Sequence, residues 1–114
     1  MVRLAAMKPT DRLLGSLELL ILKTLESGPN HGFGITLHVE TASGGLLRVE
    51  EGSLYPALHR MERLKLLSGE WRKTENGRRA RFYALTAAGR KRLAEARENW
   101  SAVSLGVQRI LRVV

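Results

Sequence analysis

The sequence predicts a mainly α-helical chain with one small β-hairpin, and three observations predict it. Apolar residues recur at helical spacing in several separate stretches, an Asn-Gly pair joins two strand-like runs, and 114 residues suffice for a single core. The apolar fraction of 44% is that of an ordinary globular chain. Cysteine is absent, which excludes disulfides, thiolate metal sites and a cysteine nucleophile. No run approaches the roughly 18 apolar residues of a membrane span. Met1 to Lys8 holds no apolar segment of signal-peptide length, so the expectation is a cytoplasmic protein with no membrane partner.

Taken in order, Met1 to Leu14 holds a short helical stretch broken by Pro9. The first clear helix runs from Ser16 to Ser27, with Leu17, Leu20, Ile21 and Leu25 at helical spacing and Leu19 and Leu22 widening the stripe. Ser16 is its expected N-cap, and Ser27-Gly28-Pro29-Asn30 its stop. A second helix is expected from about Gly32 to Ala42, with Ile35, Val39 and Ala42 inward and Ser43-Gly44-Gly45 ending it. Leu46 to Glu50 reads as a single small strand. The third helix starts near Glu51, its buried stripe marked by Leu54, Leu58, Met61 and Leu64. Pro56 is read into its first turn, where a missing N–H is tolerated, and Leu66-Leu67-Ser68-Gly69 ends it. Glu70 to Thr74 and Arg81 to Leu85 then form a hairpin around Asn76-Gly77, a dipeptide suited to the positive φ angles of a tight turn. Thr86 N-caps a long last helix.

Three helices, a hairpin and a long helix make a winged helix-turn-helix with a C-terminal dimerisation helix. The expected division is residues 1–86 for a winged-helix DNA-binding domain and 87–114 for the dimerisation helix, together one compact unit. In this layout the third helix enters a DNA major groove and the hairpin, or wing, follows the backbone or minor groove. Charge supports the reading. The chain carries 19 basic and 11 acidic residues, a net of +8. Between Arg72 and Arg92 eight basic residues face one acid, Glu75, for a net of +7. Such a concentration attracts polyanions and releases counterions on binding phosphate, although a basic run by itself fits a solvated surface equally well.

On the third helix the face opposite the leucines carries Ser53, Tyr55, His59, Arg60 and Arg63. Arginine can contact guanine bidentately, while serine and tyrosine can donate to phosphate. The alternative is that Tyr55 packs under the wing and the arginines are simply exposed. In the hairpin, Lys73, Arg78, Arg79 and Arg81 bracket the turn and are assigned to phosphate contact rather than base reading.

Leu93, Trp100, Val107 and Val114 repeat every seven residues in the last helix, as do Ala96, Val103 and Ile110. This is an a/d seam of about three heptads, suited to a second copy of the chain. A twofold dimer would present two recognition helices and predict a palindromic site. The alternative is that the helix folds back on its own core. Trp100 lies mid-seam, where two copies could hold a flat aromatic effector, or it simply fills the dimer core.

Several segments together resemble the PadR family of bacterial transcriptional regulators. They are Leu17 to Leu22; His31-Gly32-Phe33-Gly34-Ile35; Glu51 to Glu62, which includes Gly52-Ser53-Leu54-Tyr55-Pro56; and Tyr83-Ala84-Leu85-Thr86-Ala87-Ala88-Gly89. The resemblance covers roughly Gly15 to Trp100. It implies a winged-helix dimer, usually a repressor of an inverted-repeat operator, joined through its C-terminal helix. It also implies that Gly52 to Pro56 opens the recognition helix, placing Pro56 at the DNA. Two positions depart from the family pattern. Phe33 stands where tyrosine is common, removing a hydroxyl that would bond phosphate, and Ala87 stands where proline often follows the threonine.

Other functions find less support. His31, His38 and His59 make no helical zinc motif, and Gly32 and Gly34 lack the third glycine of a nucleotide loop. No enzyme, metal or cofactor is therefore expected. His31 is expected to hydrogen-bond near a helix start. An architectural nucleic-acid-binding protein without sequence preference remains the alternative, since a basic hairpin alone would serve it.

Overall fold

The computed structural model describes residues 16–113. The stretch Met1 to Leu14 lies outside the described residues. Helix α1, Leu17–Glu26, follows Ser16 at the N-cap, whose carbonyl accepts from Leu20 N at 3.0 Å. It buries Ile21, Leu22 and Leu25. Thr24 is also buried, and its hydroxyl donates to the Leu20 carbonyl at 2.8 Å, so it leaves no polar group unmatched in the core. Gly28 closes the helix, its N–H reaching the Leu25 carbonyl at 3.2 Å.

Strand β1 is only Asn30–His31 and pairs antiparallel with the later wing. Helix α2, Gly32–Ala42, begins at once, with His31 as N-cap accepting from Gly34 N through Nδ1 at 3.1 Å. Ile35 and Val39 are buried as expected, whereas Ala42 is exposed. The strand expected over Leu46 to Glu50 does not form. The three-stranded sheet has the order β1-β3-β2, so the outer edge of β3 is taken by Asn30–His31. The 46–50 segment is instead pinned by buried Val49 and half-buried Leu47.

Helix α3, Glu51–Arg63, turns Leu54, Ala57, Leu58 and Met61 into the core. Pro56 is its sixth residue, past the first turn, so its missing N–H deprives the Gly52 carbonyl of a helical partner. The helix stops earlier than the sequence suggests. Leu64 is its C-cap and is exposed, and Leu67 already belongs to the next strand. The stop is a Schellman arrangement, with Lys65 N bonded to Glu62 O at 2.9 Å and Leu66 N to Met61 O at 3.0 Å. Lys65 holds the left-handed position at φ 62°, where glycine is unstrained and lysine is not. Lys65→Gly should stabilise the fold by about 0.5–1 kcal/mol, read as a higher urea midpoint at unchanged slope. A lower midpoint would mean that the lysine side chain offsets its own backbone strain.

Strands β2, Leu67–Lys73, and β3, Arg79–Leu85, each begin two or three residues earlier than expected, β2 ends one residue sooner and β3 ends as expected. Thr74 N donates to Arg78 O at 2.6 Å and Gly77 N to Thr74 O at 2.9 Å, enclosing a three-residue loop, Glu75 to Gly77. Only Gly77 has positive φ, at 82°, so Asn76-Gly77 forms no two-residue turn but the longer loop with glycine in the left-handed position.

Helix α4, Ala87–Arg112, is capped by Thr86, whose hydroxyl accepts from Gly89 N at 3.0 Å and donates to the Lys65 carbonyl at 2.7 Å. Its first half lies on α1, held by Arg92–Glu18 at 2.9 Å and Arg97–Glu26 at 3.7 Å. Hydrogen bonding from Lys23 holds the Glu26 carboxyl below its ordinary value. Leu93 is 3% exposed and joins the core of Ile21, Leu22, Leu25, Ile35, Leu54, Leu58, Met61 and Tyr83. It therefore leaves the expected seam: the first turns of α4 pack inside the chain before the helix projects.

Candidate nucleic-acid interface

Because α3 spends its leucines on the core, its opposite face is free. Ser53, Tyr55, Pro56, His59, Arg60 and Arg63 are all exposed there. The tyrosine ring also leans on α2, where a Cβ added to Gly32 would lie 2.8 Å from the Tyr55 hydroxyl oxygen. Glycine at this position thus lets the two helices cross closely. The start of α3 carries Glu51 and is preceded by Glu50, so its dipole is already met by carboxylates. The start of α2 carries no acid.

The wing stands across from this face. A groove of ≈ 980 Å³ is lined by residues 31, 33, 55, 72 and 82 together with the wing-tip residues 73–76, 78 and 79. His31 meets Phe82 edge-on at 5.0 Å between centroids, and the Arg72 guanidinium sits 5.3 Å from the Phe82 ring. Phe33, at 64% exposed, stands at the groove mouth.

Lys73, Arg78 and Arg79 are exposed at the wing tip and line the groove. Arg81 is placed differently. Its guanidinium bonds the Glu62 carboxylate of α3 at 2.5 Å, with both side chains about 30% exposed. A Cβ on Gly69 would fall 2.6 Å from that guanidinium, so glycine leaves room for it. The bond to Glu62 raises the affinity of Arg81 for its proton, while burial pushes the Tyr83 phenol up. Arg81 is therefore a tie between helix and wing rather than one of the phosphate-facing cations with which it was grouped. Ion pairing satisfies its charge inside the protein.

Two features of the site escaped the sequence reading. Trp71, 56% exposed, lines the cleft between α3 and the wing with Tyr55, His59 and Arg79. The Glu62–Arg81 pair joins residues 19 apart. Strand alternation was the available signal, since the hairpin register sets Trp71 directly opposite Arg81.

On α4 the expected seam residues separate by position. Ala96 is partly buried, and beyond it Trp100, Val103, Val107 and Ile110 are exposed. Trp100 borders a mostly apolar groove of ≈ 630 Å³ with Leu19, Leu20, Lys23, Arg97, Glu98 and Ser101. No described helix is long and apolar enough to cross a membrane.

A helical core with α3 displayed beside a basic β-wing defines a winged-helix DNA-binding protein. Residues 21–95 match the model of the transcriptional regulator PadR-like family, well over half of the chain. The chain belongs to the PadR-like family of transcriptional regulators. Its fold is similar to a PadR-like transcriptional regulator of Bacillus cereus, with a TM-score of 0.77 and 28% identity over 92% of this chain and 100% of that one. It is also similar to a PadR-like transcription factor of Bacteroides fragilis, with a TM-score of 0.69 and 32% identity over 88% and 94%. Transcriptional regulator Rv3488 of Mycobacterium tuberculosis is 50% identical over 50 residues, 44% of this chain and 46% of that one. The neighbours are regulators rather than enzymes.

Proposed function

We propose that this protein is a homodimeric, sequence-specific repressor that binds an inverted-repeat operator in double-stranded DNA. The observation that carries the reading is the exposed face of α3, with Arg60 and Arg63, set beside a wing whose tip exposes Lys73, Arg78 and Arg79. A recognition helix of this kind reads base edges in the major groove while the wing cations neutralise phosphates. Residues 16–86 are assigned to this work, and 87–113 to pairing through Trp100, Val103, Val107 and Ile110. Tyr55 and Ser53 are assigned to the backbone, with exposed Pro56 and His59 on the same helix face. Phe33 offers the deoxyribose an apolar contact where a tyrosine would offer a hydroxyl.

Selection of bound sequences from random duplex DNA tests this, with Arg60→Ala and Arg63→Ala run in parallel. An inverted repeat should emerge, and loss of a base-reading arginine should relax one position at a cost of about 1–3 kcal/mol. Binding without enrichment, vanishing as salt rises, would leave the architectural reading in its place.

The apolar groove beside Trp100 supports a second element of the proposal, a planar aromatic effector held at the dimer seam and releasing the protein from DNA. Titration of a Trp71→Phe variant with planar aromatic compounds should quench Trp100 emission saturably. Flat emission across the set would remove the effector.

A further inference from the structure

The wing presents its arginines in two different states, and Trp71 stands between them. In the hairpin register Trp71 lies opposite Arg81, and Lys73 opposite Arg79, so the indole and both guanidiniums share the sheet face turned to α3. The Arg81 guanidinium lies 5.8 Å from the Trp71 ring centroid and that of Arg79 lies 5.5 Å from it. Arg81 is already neutralised by Glu62, whereas no salt bridge among the described residues involves Arg79. An indole that merely filled space would be covered, yet this one is 56% exposed at the cleft mouth, beside Tyr55 and His59.

We propose that Trp71 is a positioning residue of the wing, whose ring holds the Arg79 guanidinium in place to meet a DNA phosphate. Glu62 and Arg81 form the fixed layer that sets the angle of the ring. This inference rests on the DNA-binding reading. The physical gain lies in order: a free arginine carries about 2 kcal/mol of rotamer entropy, and a guanidinium already stacked on an indole loses less of it on reaching phosphate. Trp71 itself carries no charge and contributes to affinity only through Arg79.

A double-mutant cycle on operator or generic duplex DNA tests this with Trp71→Ala, Arg79→Ala and the pair. Trp71→Ala should weaken binding roughly two- to fivefold, the size of an exposed cation–π contact. Trp71→Phe should recover part of the loss. Arg79→Ala should lower the salt slope by about 0.9, and the double variant should bind like Arg79→Ala alone. Additive losses, or full affinity in Trp71→Ala, would overturn the proposal. NMR relaxation of the Arg79 Nε–Hε group in the DNA-free protein separates the two ideas. Equal mobility with and without the indole defeats the positioning role. An ordered Arg79 in a wild-type protein that binds no duplex defeats the DNA reading instead.

Discussion

A chain carrying both Val103→Asp and Val107→Asp should sediment as a monomer and bind its operator roughly 10²- to 10⁴-fold more weakly, the loss expected when two linked sites become independent. The two valines are 47% and 49% exposed and lie four residues apart on the projecting half of α4. Aspartate has nearly the helix propensity of valine, so the single chain should remain folded and helical by circular dichroism. Only an interface between copies would feel the change, because each carboxylate would then be carried out of water without a partner. A wild-type chain that already sediments as a monomer, or a variant that stays dimeric, would remove α4 as the dimer interface.

Gly89→Ala is expected to destabilise the fold by about 1–3 kcal/mol, against the usual sign for this substitution in a helix, where alanine gains up to about 1 kcal/mol. The reason is local. A Cβ at residue 89 would lie 2.1 Å from the Leu66 carbonyl oxygen, backbone rather than a side-chain tip. That same carbonyl accepts from Thr86 N at 3.1 Å, and the Thr86 hydroxyl caps the helix through Gly89 N. Moving it aside would loosen the cap and the α3–β2 corner together. Thermal and urea unfolding would both register the loss, and a midpoint equal to or above wild type would show that the corner yields freely.

Most of the fold was legible because each long element carries its own period. The leucines of α1, Leu54 and Leu58 of α3, the Thr86 cap and the hairpin are local signals and they hold, whereas Leu64 falls at the exposed C-cap of α3. The misses share a different cause: each depends on something distant in the chain. Asn30–His31 has no periodicity of its own and becomes a strand only because β3 offers an edge. The 46–50 segment looks β-prone but is held by Val49 and Leu47 packing on the core, with no strand pairing. Leu93 shares a heptad position with Trp100, yet the core buries one and leaves the other half exposed beside α1. Arg81 looks like any other wing arginine until α3 brings Glu62 to it. At the candidate site, the charged and polar faces could be read from spacing. Which cation is tied down, and which aromatic stands beside it, required the tertiary packing.

The junction at Thr86 has a mechanical consequence. Its hydroxyl bonds both the Lys65 carbonyl at the end of α3 and the first turn of α4, and no glycine or proline separates the wing from the long helix. The start of α4 is thus tied to the end of α3 as well as to α1, and its projecting half acts as a lever. This half, residues 100–112, is ~20 Å long, so a tilt of about 10° where it leaves α1 sweeps the far end by roughly 3.4 Å. That is one base-pair step of the duplex. In a pair of chains joined near the tips of these levers, a small rotation at the joint would set whether the two reading heads keep step with the turn of the double helix.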